Sequence, residues 1–357
     1  MTETPRFSSP HAHGPADVTR TMLWVLAAMT PTTLYGFYLF GWPAIFLFTV
    51  TVASAAVAEA AALAFAGRPV APFLRDGSAM VSGWIVALTL PPWAPWWIGV
   101  LAGLIAIVLG KQVFGGLGQN IFNPAMVARV MLLISFPVEL TAFLSPQPLF
   151  SASAPGLVEG FKITFGSGAG YDAVSSASIL GHVRTQLHEG AALDAALAGF
   201  YDPLAMFIGH VPGSLGETSK LLILLGGLAL LWKRIITWHI PVAMTVGLIA
   251  VASGMHLWDP NRHAGPLFHL LSGTFLFGAF FIATDYVTAP VSSRGRLIFG
   301  AGCGVLTYVI RTWSAYPEGL GFAVLLMNAT TPLIDRYVHP RIFGRTRSGD
   351  PLRAPDD

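Results

Sequence analysis

Long apolar runs, repeated from one end of this 357-residue chain to the other, constrain it more than any other feature. They fall near 22–40, 44–66, 77–91, 97–114 and 122–137, and again at 218–232, 238–255, 265–283, 296–311 and 318–335. A helix needs roughly 20 apolar residues to cross a bilayer, and the backbone inside lipid must satisfy its own hydrogen bonds. The pattern predicts an all-α polytopic membrane protein with about ten transmembrane helices. Several runs are short for a simple span, which points to broken or re-entrant helices. Charged residues make up 11% of the chain, under half of the roughly 25% of a soluble domain, so a soluble globular enzyme is excluded.

The basic residues orient the map. With the N-terminus in the cytoplasm, fourteen of the 20 Lys and Arg fall on cytoplasmic segments, five on outer segments, and Arg129 inside a run. That asymmetry follows the positive-inside rule. It predicts cytoplasmic ends at 1–21 and 336–357, membrane halves at 22–137 and 218–335, and a long exported segment at 138–217. Trp42, Trp93, Trp96, Trp97, Trp232, Trp238, Trp258 and Trp313 stand at or near span ends, where an indole with one N–H donor is best placed.

Five spans is an odd number, so the halves lie in opposite orientations. Gly83, Thr89 and Pro95 repeat as Gly278, Thr284 and Pro290, and Gly116-Leu117-Gly118 repeats as Gly319-Leu320-Gly321. Together these suggest two inverted five-helix repeats, whose meeting place is built from discontinuous helices. The stretches most suited to breaking are 115–124 (GGLGQNIFNP) and 284–293 (TDYVTAPVSS). Ionisable or amide side chains at membrane depth are functional candidates. Here they are Asp76, Asn120, Asn123, Arg129, Asp285, Glu318, Asn328 and Asp335. Arg129, flanked by apolar residues, reads as the most buried.

Metal chemistry has little support. The lone Cys303 lies in an apolar run and reads as a small hydrophobe; an iron–sulfur cluster needs about four cysteines. His182, His188 and His210 in the exported segment lack a compact ligand spacing. Redox chemistry would therefore need an organic cofactor.

Five stretches together resemble the D subunit of Rnf electron-transport complexes, a family related to the B subunit of sodium-translocating NADH:quinone reductases. They are 76–92 (DGSAMVSGWIVALTLPP), 114–137 (FGGLGQNIFNPAMVARVMLLISFP), 172–178 (DAVSSAS), 280–300 (FFIATDYVTAPVSSRGRLIFG) and 316–335 (YPEGLGFAVLLMNATTPLID). The resemblance implies FMN attached covalently, through its phosphate, to a hydroxyl residue in a motif similar to D-x-x-[ST]-G-A-T. Here that motif reads Asp172, Ala173, Val174, Ser175, Ser176, Ala177, Ser178, which places the acceptor at Ser178. Ser178 replaces the usual Thr and Ser176 the usual Gly; Ser175 and Ser176 carry hydroxyls of their own. The resemblance further implies a second, noncovalent flavin (riboflavin), for which Asn120, Asn123, Thr284 and Asp285 are candidate lining residues. They are equally candidates for an ion path.

What the family implies is a membrane component that passes electrons between ferredoxin and NAD, coupled to Na+ or H+ movement, in a bacterial inner membrane. Its partners would be the other Rnf subunits, including iron–sulfur and flavin subunits, and a flavin transferase. Electron supply to nitrogenase is one use of such complexes. The competing reading is a small-solute channel or transporter, since inverted five-helix repeats are also a transporter architecture.

Overall fold

The computed structural model describes residues 17–166, 175–176, 178–316 and 318–340. They are mostly helical. Val18–Phe65, Trp96–Phe114 and His239–Trp258 are long and apolar enough to cross a membrane, and Ser78–Thr89, Pro124–Ser135 and Lys220–Trp232 are shorter apolar helices. Leu34, Val57, Leu104, Leu225, Leu228, Val246, Leu326 and Leu333 point outward and are exposed, leaving an apolar surface that suits lipid. This is the architecture of a membrane protein.

Val18–Phe65 is continuous apart from Gly41, whose φ of 71° and ψ of −158° are not helical. The chain folds back there. Trp84 donates its indole N–H to the Thr33 hydroxyl at 2.9 Å and packs edge-on against Phe48 at 4.9 Å between centroids. In a straight helix Thr33 and Phe48 would stand about 22 Å apart. Glycine supplies the positive φ without a Cβ clash, and Pro43 follows, unable to donate back into the first arm.

Small residues set the helix spacing. Gly304 packs on the Met244 carbonyl, and a Cβ on Gly247 would meet the Ala301 carbonyl at 2.6 Å. The helices His239–Trp258 and Ser293–Trp313 are thereby in backbone contact, the usual solution where lipid offers no hydrophobic drive for association.

Two apolar runs expected as spans are not regular helices. The first continues from Trp96–Leu104 into a π turn at Ile105–Leu109. The second is Pro266–Leu271, then a break at Ser272–Gly273–Thr274, then Phe275–Phe277 and a π turn at Gly278–Ile282. The stretches expected to break do so: no α-helix runs through 115–123 or 284–292. The break at 272–274 was not anticipated; Gly273 takes φ of 65° there.

The segment 138–217, expected to be exported, is more ordered in its described residues than its polar composition suggests. Leu157–Phe165, Ile179–His188, Leu193–Leu197 and Pro203–Ile208 are helices. Ile179, Leu180, Val183, Leu193, Ala196 and Met206 form one apolar cluster with Ala264, Phe268 and Leu271 of the second half. A two-residue antiparallel ladder pairs Phe143 with Ser176 and Leu144 with Ser175, tying the serine motif to the chain leaving the Pro124–Ser135 helix.

Candidate functional sites at two ends of the bundle

Ser178 lies just past that ladder and starts the Ile179–His188 helix. Its Oγ accepts the Gly181 N–H at 3.2 Å, which satisfies one of the otherwise unpaired donors of the first turn. It is 8% exposed and lines a small cleft with Arg129, Leu133, Thr141, Glu217 and Glu318. Ser175 and Ser176 form the neighbouring strand; Asp172 and Ala177 lie outside the described residues.

A cluster of charges surrounds the floor of this cleft. Arg311 pairs with Glu318 at 3.0 Å and donates to the carbonyls of His269 and Ser272 at 2.7 and 3.0 Å. Glu318 in turn accepts the Thr274 and Leu320 N–H groups. Lys220 donates to the Glu217 carbonyl, and to the Gly273 carbonyl at 3.1 Å. These side chains satisfy the backbone freed by the break at 272–274, as polar groups away from water require. Lys220 and Arg311, placed on outer segments by the charge count, are buried at 1% and 4% exposure. Arg129 is buried, and its Nη1 has no hydrogen-bond partner.

Asn120, Asn123, Thr284 and Asp285 come together around a second cavity. Ser78, Ser82, Lys111, Phe280, Phe281 and Tyr286 help to line it. Asn123 caps the Pro124–Ser135 helix by accepting the Met126 N–H, and donates through Nδ2 to the Ile282 carbonyl at the end of the π turn. Asp285 accepts the Val287 N–H and the Thr288 hydroxyl. Thr284 donates to the Phe280 carbonyl, and Asn120 to Phe122. Beside the cavity, Lys111 bonds Glu59 and Ser78 at 2.8 and 2.7 Å in a fully buried ion pair. Sequence reading passed over Glu59, Lys111 and Ser78. The only local signal was a Glu within an alanine-rich run.

The two cavities share the Pro124–Ser135 helix. Asn123, Pro124 and Ala125 face one, and Arg129 and Leu133 the other. At 1.5 Å per residue, Asn123 and Leu133 are separated by about 15 Å along the axis. Of the remaining candidates, Asp76 accepts the Ser78 N–H at 2.7 Å and Asp335 accepts the Val291 N–H at 3.0 Å. Both do local structural work.

The fold and its sites define a helical membrane protein with two separate clusters of buried polar residues, each lining a cavity. Residues 6–344 match the model of the NQR2, RnfD, RnfE family. The chain is 52% identical over 345 residues to a protein of Halorhodospira halophila, covering 97% of each. It is 55% identical to one of Stutzerimonas stutzeri, over 95% of this chain and 96% of that one, and 48% identical to one of Rhodobacter capsulatus, over 95% and 94%. All three relatives are named as the D subunit of an ion-translocating oxidoreductase complex. This chain belongs to the NQR2, RnfD, RnfE family.

Proposed function

We propose that this chain is the membrane D subunit of an Rnf-type complex, carrying FMN on Ser178 and coupling electron transfer between ferredoxin and NAD to Na+ or H+ movement. The observation that carries the reading is one cleft lined by both the Ser178 alcohol and the buried Arg129 guanidinium, whose Nη1 has no hydrogen-bond partner. An alcohol supplies the ester bond and a buried cation suits a phosphate, so the residues present fit the group the family implies. A transferase would join Oγ to phosphorus, break the pyrophosphate bond of an activated flavin nucleotide, and pass the hydroxyl proton to the released phosphate. Once bound, the flavin supplies one- and two-electron chemistry, while the protein positions it.

The second cavity suits a planar, amphipathic ligand such as riboflavin. Phe280, Phe281 and Tyr286 offer apolar surface, and Asn120, Asn123, Thr284 and Asp285 offer polar contacts. In this reading the chain has ten spans in two inverted halves, lies in a bacterial inner membrane with both ends cytoplasmic, and exports 138–217. It assembles with the other subunits of its complex and is matured by a flavin transferase. Delivery of low-potential electrons to nitrogenase is one setting for such a complex.

The test is direct. Denatured protein from cells with the transferase should show flavin fluorescence in a gel, and Ser178→Ala should lose it. Persistence in Ser178→Ala would move the acceptor elsewhere, and absence from the native chain would remove the redox assignment.

A further inference from the structure

Around the Ser178 cleft the described residues bring together three cations, Arg129, Lys220 and Arg311, and two carboxylates, Glu217 and Glu318. Arg311 is paired directly with Glu318, and Lys220 is held against the Glu217 backbone. Arg129 shares the cleft with Glu217 and Glu318 but forms a close ion pair with neither: it is 7% exposed, and its buried Nη1 has no hydrogen-bond partner. A buried charge is costly unless a bonded opposite charge reaches it.

We infer that Arg129 is the counter-charge for the phosphodiester at Ser178, so that its Nη1 gains a partner only when the flavin is attached. A phosphodiester carries one negative charge, which the free Nη1 of Arg129 is suited to bond. The Ile179–His188 helix begins at Ser178, so its positive dipole end also favours an anion there. Arg129 is thus a positioning residue for the cofactor's phosphate, set on the Pro124–Ser135 helix that runs on to the second cavity. The inference rests on attachment at Ser178.

Full-length chain is prepared from cells with and without the transferase, and unfolding is followed by heating in detergent. In the wild type, attachment raises the midpoint by about 3 °C or more. In Arg129→Gln that rise disappears, and the unflavinylated variant melts at or above the unflavinylated wild type, because an unpaired buried charge has gone. Loss of gel flavin fluorescence in Arg129→Gln, with recovery in Arg129→Lys, supports the same conclusion. An equal rise in wild type and Arg129→Gln overturns it. So does failure of Arg129→Gln to accumulate or to match unflavinylated wild-type stability, and so does equal loss of fluorescence in the Gln and Lys variants.

A second arm separates this inference from attachment itself. Ser178→Ala protein, with its second cavity first saturated with riboflavin, should bind added FMN at least tenfold more tightly than further riboflavin, and adding Arg129→Gln should remove that preference. If the native chain carries no ester yet the preference holds, attachment at Ser178 fails alone. If the ester is present and there is no preference to remove, the role of Arg129 fails alone.

Discussion

Asn328 Oδ1 accepts the backbone N–H of Asn123 at 3.1 Å, joining residues 205 positions apart in sequence. Asn328 is fully buried and also donates from Nδ2 to the Thr288 carbonyl at 3.3 Å, while Asn123 reaches the Ile282 carbonyl. One amide therefore closes the irregular backbone of both halves at the edge of the second cavity.

Asn328→Ala should destabilise the protein by about 1–3 kcal/mol, because the buried Asn123 N–H loses its partner while the Thr288 carbonyl keeps the Thr331 hydroxyl. Thermal unfolding in detergent measures this. An unchanged midpoint would show that water replaces the amide and that the two halves are not locked at this point.

The Lys111–Glu59 pair, with side chains 3% and 1% exposed, predicts a non-additive result. Lys111→Met or Glu59→Gln alone should cost about 3–5 kcal/mol, while Lys111→Met with Glu59→Met should recover much of the loss. Additive losses in the double variant would mean that neither charge depends on the other.

Gly304→Ala would drive a methyl group into the Met244 carbonyl and part the His239–Trp258 and Ser293–Trp313 helices. Overpacking of this kind costs about 1–3 kcal/mol. The expected reading is a lower melting midpoint and reduced yield in membranes. Gly254, whose added Cβ would meet nothing within 4 Å, is the control, and Gly254→Ala should be close to neutral.

Accessibility tests the orientation. Cys303 is fully buried and should resist labelling. In a Cys303→Ser background, a membrane-impermeant thiol reagent applied to intact cells should label Glu189→Cys and spare Arg294→Cys, both exposed positions. The reverse pattern would invert the topology.

Ser178→Thr should keep covalent flavin, since threonine carries the same alcohol and also caps helices, whereas Ser178→Ala should lose both flavin and cap, the latter worth about 1 kcal/mol. In-gel fluorescence and a melt of the unflavinylated proteins separate the two effects. Flavin absent from the Thr variant would mean that the cleft is sized for serine alone.

Much of this was determined by the order of residues. Apolar runs must become helices in lipid because no other local structure satisfies the backbone there, so the helical segments and the stretches 115–124 and 284–293 that interrupt them follow from composition. The burial of Arg129 and Cys303 followed in the same way, from apolar neighbours along the helix. What pattern alone could not reach were the relationships between distant segments. Gly41 was one glycine among 38 until Trp84 joined Thr33 to Phe48 across it. Four polar residues in two halves became one cavity, Glu59 found Lys111, and Arg129 came to line one cleft with Ser178, its Nη1 left without a hydrogen-bond partner. Periodicity and propensity act over a turn or two of chain, whereas a buried charge or amide answers only to what packs against it, and packing is decided by the tertiary fold.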